Sequence, residues 1–135
     1  MPFSLGPVGQ VALSVANVDR SEVFFAETLG LRKLFRFGTL VFFDCAGLRL
    51  LIEQAANEAA IESASPIYFR VADIALARRE LESRGVTFVD QLHCVAPMPD
   101  HDLWMTFFRD PDGHLLALMM EAPKGYQPAD CRARP

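Results

Sequence analysis

Residues 107–120 read FFRDPDGHLLALMM, an apolar run, a short polar segment and a second apolar run. Pro111 fixes φ at the first turn position, and Gly113 permits the positive φ that such a turn needs. Two apolar runs around a turn of this kind are typical of a β-hairpin. A weaker copy, FFDCAGLRLLIE, occupies residues 42–53, with Gly47 at the position of Gly113. The repeated hairpin predicts a chain that is built from two similar halves.

The chain ahead of each hairpin also repeats. Residues 10–15 and 66–71 alternate between apolar and other side chains, which is typical of half-buried strands. Asn17 and Asp73 follow these strands at matching positions, and each side chain can cap the N-terminus of a helix. An amphipathic helical pattern comes next in both copies and ends at a glycine. Three short strands complete each copy, the first of them in the second copy near residues 86–90.

These repeats predict an α+β fold of two tandem βαβββ modules within one domain of 135 residues. Module 1 is expected at about residues 8–54, module 2 at about 64–121, and a loose tail with several prolines at 122–135. Residues 54–65 are interpreted as a linker or a short helix. Paired modules would bury their helices on the outer faces of two curved mixed sheets, and the inner faces would line a cup.

The composition and charge exclude several classes of function. Hydrophobic residues make up 51% and charged residues 22% of the chain, as in ordinary globular domains. The net charge of -4 gives no basic surface for nucleic acid, and no apolar run is long enough to cross a membrane. The N-terminus does not resemble a secretory signal, and Cys45, Cys94 and Cys131 have no C-x-x-C spacing. We therefore expect a cytoplasmic protein with reduced thiols.

A polar set is expected on the inner faces of the two sheets. Strand parity assigns to it Gln10, Ser14, Arg49, Glu53, Tyr68 and Arg70. The guanidinium groups suit a carboxylate or phosphate, and the tyrosine ring can stack on a ligand. The alternative is that both arginines pair with Glu53 and other neighbours across the sheet, and the sequence favours neither reading.

Trp104 is the aromatic residue that we expect to form a pocket wall. Most of the other strand aromatics are assigned to the core: Phe35, Phe37, Phe42, Phe43, Phe107 and Phe108.

Residues 98–104 read MPDHDLW and, with His93 nearby, bring two histidines and two carboxylates close together in the sequence. Such a group can bind a metal ion or transfer protons, which makes His93, His101 and Asp102 candidate catalytic residues. The alternative is a turn at the start of a strand, with solvated histidines. His114, directly after the turn glycine of the second hairpin, is expected to be a solvated polar side chain.

Four segments carry a resemblance to a known superfamily. They are VALSV at residues 11–15, FFAETLGL at 24–31, YFRVAD at 68–73 and FRDPDG at 108–113. In these segments the chain resembles the vicinal oxygen chelate superfamily, which includes glyoxalase I, bleomycin-resistance proteins and extradiol dioxygenases. The resemblance implies paired βαβββ modules that form a cup, usually in a homodimer.

The same resemblance bears on metal binding. Metal-dependent members of the superfamily place one ligand on the first strand and one on the last strand of each module. The matching positions here are Gln10, Leu51, Pro66 and Ala117, of which Gln10 alone has a side chain that can coordinate a metal ion. A divalent ion needs three or four nitrogen, oxygen or sulfur donors. The expectation is therefore that the usual metal site is absent and that the protein has no metal or other cofactor.

Two functional hypotheses follow. In the first, the protein holds a small aromatic or anionic molecule in the cup and has no nucleic-acid or membrane partner. In the second, it is a lyase or isomerase that uses His93 and His101 as acid and base or around a relocated metal ion. The sequence leaves open whether the chain is an enzyme. In both hypotheses the expected partners are a small molecule and a second copy of the chain.

Overall fold

The computed structural model describes residues 3–62 and 64–128, and the chain falls into two compact units. Unit 1 comprises Met1–Ala64 and unit 2 comprises Ser65–Pro135. Each unit contains one four-stranded mixed sheet and at least one helix. The predicted α+β class with two βαβββ modules is confirmed. None of the helices in these described ranges is long and apolar enough to span a membrane.

Unit 1 begins with the predicted strand and helix. Its strands are β1 (Gln10–Val15), β2 (Arg32–Phe37), β3 (Leu40–Cys45) and β4 (Leu48–Gln54). Its helices are α1 (Val18–Val23), which continues as a π-helix over Phe24–Thr28, and α2 (Glu58–Glu62), a short helix in the segment after β4. The sheet has the order β1-β4-β3-β2, and only β1 and β4 are parallel. Helix α1 starts where predicted, because the Asn17 side chain accepts a hydrogen bond from Arg20 N at 3.0 Å.

One face of the first sheet packs against the helical segment. Leu13 and Val15 of β1 and Phe43 of β3 are buried on that face together with Phe25. The ring centroids of Phe25 and Phe43 lie 6.1 Å apart. Burial of these side chains holds the helical segment against the sheet and leaves the opposite face of β1 and β4 more exposed.

Unit 2 repeats this arrangement. Its elements are β5 (Ile67–Arg70), α3 (Ile74–Ser83), β6 (His93–Pro97), β7 (Asp102–Arg109) and β8 (Leu115–Ala122). The sheet has the order β5-β8-β7-β6, with β5 and β8 parallel. Asp73 caps α3 by accepting a hydrogen bond from Leu76 N at 3.1 Å. Ile74 and Leu81 of this helix are buried, as are Phe108 and Leu116 of the sheet.

The strand predicted near residues 86–90 does not form. Within this segment Phe88 makes one isolated bridge to Phe108, and the third strand of the module begins instead at His93. A side chain interrupts the ladder, because the Asp90 carboxylate accepts a hydrogen bond from Phe107 N at 2.9 Å. A backbone carbonyl would fill that place in a regular strand pair.

The two hairpin turns differ in length. In unit 1 the turn consists of Ala46 and Gly47, which have φ angles of 54° and 99°. In unit 2 the turn spans residues 111–113 and ends at Gly113, with a φ of 88°. A two-residue turn with both φ angles positive strongly favours asparagine, aspartate or glycine, so the alanine in the first turn is strained.

The start of the predicted loose tail is anchored to unit 2. Lys124 Nζ donates hydrogen bonds to Met98 O at 2.9 Å and to Asp102 Oδ1 at 2.8 Å. The Tyr126 ring packs edge to face against Trp104, with ring centroids 5.6 Å apart. Residues 129–135, including Cys131, lie outside the described part of the chain.

Candidate functional site

Strands β1 and β4 place four of the predicted ligand residues on one face of the first sheet. In their parallel register Gln10 lies opposite Arg49, and Ser14 lies opposite Glu53. Arg49 Nε donates a hydrogen bond to Gln10 Oε1 at 2.9 Å. The other face of β1 is the buried one that carries Leu13, so the strand parity derived from the sequence holds in this unit.

Two phenylalanine rings extend this face across β3 and β2. The Arg49 guanidinium carbon lies 5.3 Å from the centroid of the Phe42 ring. The Phe42 ring stacks on Phe35, with centroids 4.5 Å apart and 23° between the ring planes. Phe35 is 48% and Phe37 is 74% exposed, so their assignment to the core is wrong. We term this surface the arginine-phenylalanine face, and it is formed by Gln10, Phe35, Phe42 and Arg49.

In unit 2 the predicted ligand residues lie on two different faces of the sheet. Tyr68 packs edge to face against Phe107, with ring centroids 5.8 Å apart, and Arg70 pairs with Glu121 at 3.2 Å. Trp104 is buried and lies on the other face, because its position in β7 differs from that of Phe107 by an odd number, and side chains alternate between the two faces of a strand. The structure therefore does not bring Trp104 together with Tyr68.

The two histidines of the predicted catalytic group lie apart. His93 lies opposite Met105 in the β6–β7 register. Met105 comes four residues after His101, which corresponds to about 13 Å of extended chain. The Nδ1 of His93 lies 2.7 Å from Gln91 O. His93 and His101 therefore do not share a proton-transfer or metal-binding group in this arrangement.

His101 instead lies between two carboxylates. Its Nδ1 is 2.7 Å from Asp100 Oδ1, and its Nε2 is 3.7 Å from Glu121 Oε2. The hydrogen bond from His101 is the main cause that lowers the pKa of Asp100 below its ordinary value. Asp102 is engaged elsewhere, because the hydrogen bond from Lys124 is the main cause that lowers the pKa of its carboxyl. The carboxylates beside His101 are thus those of Asp100 and Glu121.

A further cluster lies at the turn of the second hairpin. Asp110, Asp112 and His114 each offer one ligand atom, and these atoms all lie within 4.8 Å of one another. Asp110 and His114 are buried, and Asp112 is half-buried. These three residues are termed the Asp-His turn. The expectation of no metal cofactor, made because the usual ligand positions lack donors, is wrong in that these three residues lie close enough together to hold a metal ion.

Hydrogen bonds hold the Asp110 carboxylate in place. Its Oδ1 accepts from Asp112 N at 3.0 Å and from His114 N at 2.8 Å, and its Oδ2 lies 2.8 Å from His114 Nδ1. The expectation of a solvated His114 is therefore also wrong. Sequence reasoning missed the cluster because it treated these residues as turn formers only. The available signal was that residues 110 and 114 face each other across the predicted turn.

Both the sequence and the fold match known proteins. The model of the Glyoxalase/Bleomycin resistance protein/Dioxygenase superfamily matches residues 8–118. A search of curated proteins gave no match. A member of the same superfamily from Sphaerobacter thermophilus is 24% identical, with a TM-score of 0.70, and the match covers 87% of this chain and 98% of that chain.

Two further solved structures show the same fold. Lactoylglutathione lyase from Agrobacterium tumefaciens is 19% identical, with a TM-score of 0.71, and the match covers 92% of this chain and 100% of that chain. An integron cassette protein from V. cholerae is 18% identical, with a TM-score of 0.72, and the match covers 90% of this chain and 100% of that chain. Identities in this range establish a shared architecture and leave the activity open.

Proposed function

The chain belongs to the glyoxalase/bleomycin resistance protein/dioxygenase superfamily, and we propose that it binds a small organic molecule on the arginine-phenylalanine face. The ligand that suits this face has a planar ring and one anionic group. The observation that carries the proposal is the position of Arg49, which is exposed, held by a neutral amide and placed beside two stacked rings.

The Arg49 guanidinium can bind an anionic group of a ligand. Its Nε is bonded to Gln10 Oε1, and no carboxylate within the described ranges forms an ion pair with it. The nearest candidate in the strand register is Asp44, but that carboxylate accepts from Gly47 N at 3.0 Å and lies 3.6 Å from Arg32 Nη2. The terminal nitrogens of a guanidinium suit a carboxylate, phosphate or sulfonate group.

The rings beside Arg49 favour an aromatic ligand. Phe35 and Phe42 already stack on each other, and Phe35 remains about half exposed. Covering exposed phenyl surface stabilises a complex by about 25 cal/mol per Å² of apolar area. A flat aromatic ring would stack on the phenyl rings while its anionic group reaches Arg49.

This proposal is tested by titrating the protein with 2-naphthoate and with neutral 2-naphthylmethanol, followed by naphthyl fluorescence or calorimetry. We expect 2-naphthoate to bind the native protein and Arg49→Gln to weaken that binding about tenfold, with little effect on the neutral probe. Arg84→Gln, at an exposed arginine of the second unit that pairs with Glu80 at 3.5 Å, is the matched control. Equal affinity of the native and Arg49→Gln proteins for 2-naphthoate would contradict the proposal.

A second candidate function is a lyase or isomerase activity centred on His101. It is supported by the position of this imidazole between Asp100 and Glu121, since carboxylates beside a histidine can orient it for proton transfer. The fold is shared with a lactoylglutathione lyase, so S-lactoylglutathione is a suitable first probe. Turnover that is lost in His101→Gln and retained in His93→Gln would support this candidate, and no turnover by the native protein would count against it.

We also propose that the protein forms a homodimer and resides in the cytoplasm. The dimer is supported by the superfamily and by the strongly exposed apolar side chains of Phe3 and Leu5. A cytoplasmic location is supported by the free thiols of Cys45 and Cys94. Light scattering tests the homodimer, and a monomer at micromolar concentration would contradict it. Cell fractionation tests the cytoplasmic location.

A further inference from the structure

We propose that the Asp-His turn binds one divalent transition-metal ion through an oxygen of Asp110, an oxygen of Asp112 and an imidazole nitrogen of His114. This site does not depend on the proposed ligand face, which belongs to the other unit. It also lies outside the strand positions at which the superfamily resemblance implies metal ligands. Two carboxylates and one imidazole form a donor set that suits zinc, cobalt, manganese or iron.

The spacing of the donors is compatible with direct coordination. Bonds of about 2.0–2.2 Å from a metal to nitrogen and oxygen place neighbouring ligand atoms about 3 Å apart. Asp110 Oδ2 and His114 Nδ1 are 2.8 Å apart, and Asp112 contributes an atom within 4.8 Å of the other two ligand atoms.

The charge balance of the turn also favours a cation. The Asp110 side chain is 0% exposed, and within the described part of the chain His114 is its one ion-pair partner. A buried carboxylate needs a compensating positive charge. The second imidazole nitrogen, His114 Nε2, is buried and has no hydrogen-bond partner among the described residues. A divalent ion held by the turn would supply positive charge beside the buried Asp110 carboxylate.

The backbone prepares the Asp110 carboxylate for this role. Two backbone N–H groups, from Asp112 and His114, hold its Oδ1 at 3.0 and 2.8 Å. Gly113 N donates to Asp110 O at 2.9 Å, which closes the turn. Such outer contacts orient a ligand before the metal arrives and raise the affinity of the site.

The proposal is tested on the full chain after treatment with EDTA. We expect calorimetric titration with zinc chloride to give one ion per chain, and cobalt chloride to give visible absorption typical of nitrogen and oxygen ligands. Asp112→Asn should weaken zinc binding by about tenfold or more, because a neutral amide oxygen is a weaker ligand for zinc than a carboxylate. This substitution suits the turn, because asparagine tolerates the same backbone conformation.

Two further variants complete the test. His114→Gln should abolish the cobalt absorption, and circular dichroism checks that this variant remains folded. His101→Gln, which alters the other histidine flanked by carboxylates, should bind zinc like the native protein. Absence of zinc binding, equal binding by Asp112→Asn and the native protein, or loss of binding in His101→Gln would each overturn the proposal.

Discussion

Ala46 shows how a single residue can oppose the turn in which it lies. Its φ of 54° is in the left-handed region, where the Cβ of an L residue approaches the backbone. Asparagine adopts this conformation more readily and is favoured at the first position of a two-residue hairpin turn.

We predict that Ala46→Asn raises the free energy of unfolding by about 1 kcal/mol, because the substitution relieves this backbone strain. Urea denaturation of both proteins measures the change. Ala56→Asn is a suitable control, since Ala56 is exposed and does not have a positive φ. A control that gains as much stability as Ala46→Asn would show that the turn conformation is not the cause.

Arg49 and Arg70 show why two arginines that are both predicted on inner sheet faces have different roles. Both are predicted to serve either a ligand or a cross-strand ion pair. In the structure Arg70 pairs with Glu121, whereas Arg49 bonds to the neutral Gln10 and lies beside Phe42. The register of the neighbouring strand decides between the two roles, and a single strand does not contain that information.

At the scale of elements, three side chains connect α3 to β7 and to the segment before β6. Arg78 Nη1 donates to Thr106 Oγ1 at 2.5 Å, and Thr106 Oγ1 donates to Asp90 Oδ1 at 3.0 Å. The Arg78 guanidinium carbon also lies 4.6 Å from the Phe88 ring centroid. Thr106 is fully buried, so this connection lies inside unit 2.

We predict that Thr106→Val lowers the free energy of unfolding by about 1–3 kcal/mol, because the substitution leaves the half-buried Arg78 and Asp90 without their hydrogen bonds to a buried hydroxyl. Thermal or urea unfolding measures the loss. Thr87→Val removes a hydroxyl from an exposed position and should change the stability by less than about 0.5 kcal/mol. Similar losses in the two variants would indicate that the buried network adds little.

The elements also show where local signals are sufficient. Asn17 and Asp73 cap the two predicted helices, and the glycines of both hairpins have the positive φ that their turns require. These features depend on a few adjacent residues, so the sequence predicts them directly. The strand expected near residues 86–90 fails because Asp90 binds Phe107 N, a contact between residues distant in the chain.

At the scale of the whole molecule, several carboxyl groups lose protons more readily in the folded state. The pKa of Glu22 is lowered mainly by its hydrogen bond with Lys33, and the pKa values of Asp100 and Asp102 are lowered by His101 and Lys124. A group with a lowered pKa in the folded state stabilises the protein above its ordinary pKa. That contribution is lost as the pH falls.

We therefore predict that the melting temperature decreases as the pH falls below the ordinary carboxyl values of 4.5 for Glu22 and 3.8 for the two aspartates. Thermal unfolding at a series of pH values measures this decrease. In Glu22→Gln the decrease should be smaller, because the variant lacks one of the titrating groups. An identical pH profile for the native protein and this variant would contradict the assigned role of Glu22.

The sequence by itself determined the architecture: alternating strands, capped helices and repeated hairpins specify two βαβββ modules. These signals are local, since strand period, capping and turn conformation each involve residues a few positions apart. Only the tertiary structure placed His93 apart from His101, and only it buried Asp110 with His114 in a cluster able to hold a metal ion. Such groupings depend on register, on which face of a strand is covered and on the path of a turn, so they arise only when strands pair and pack.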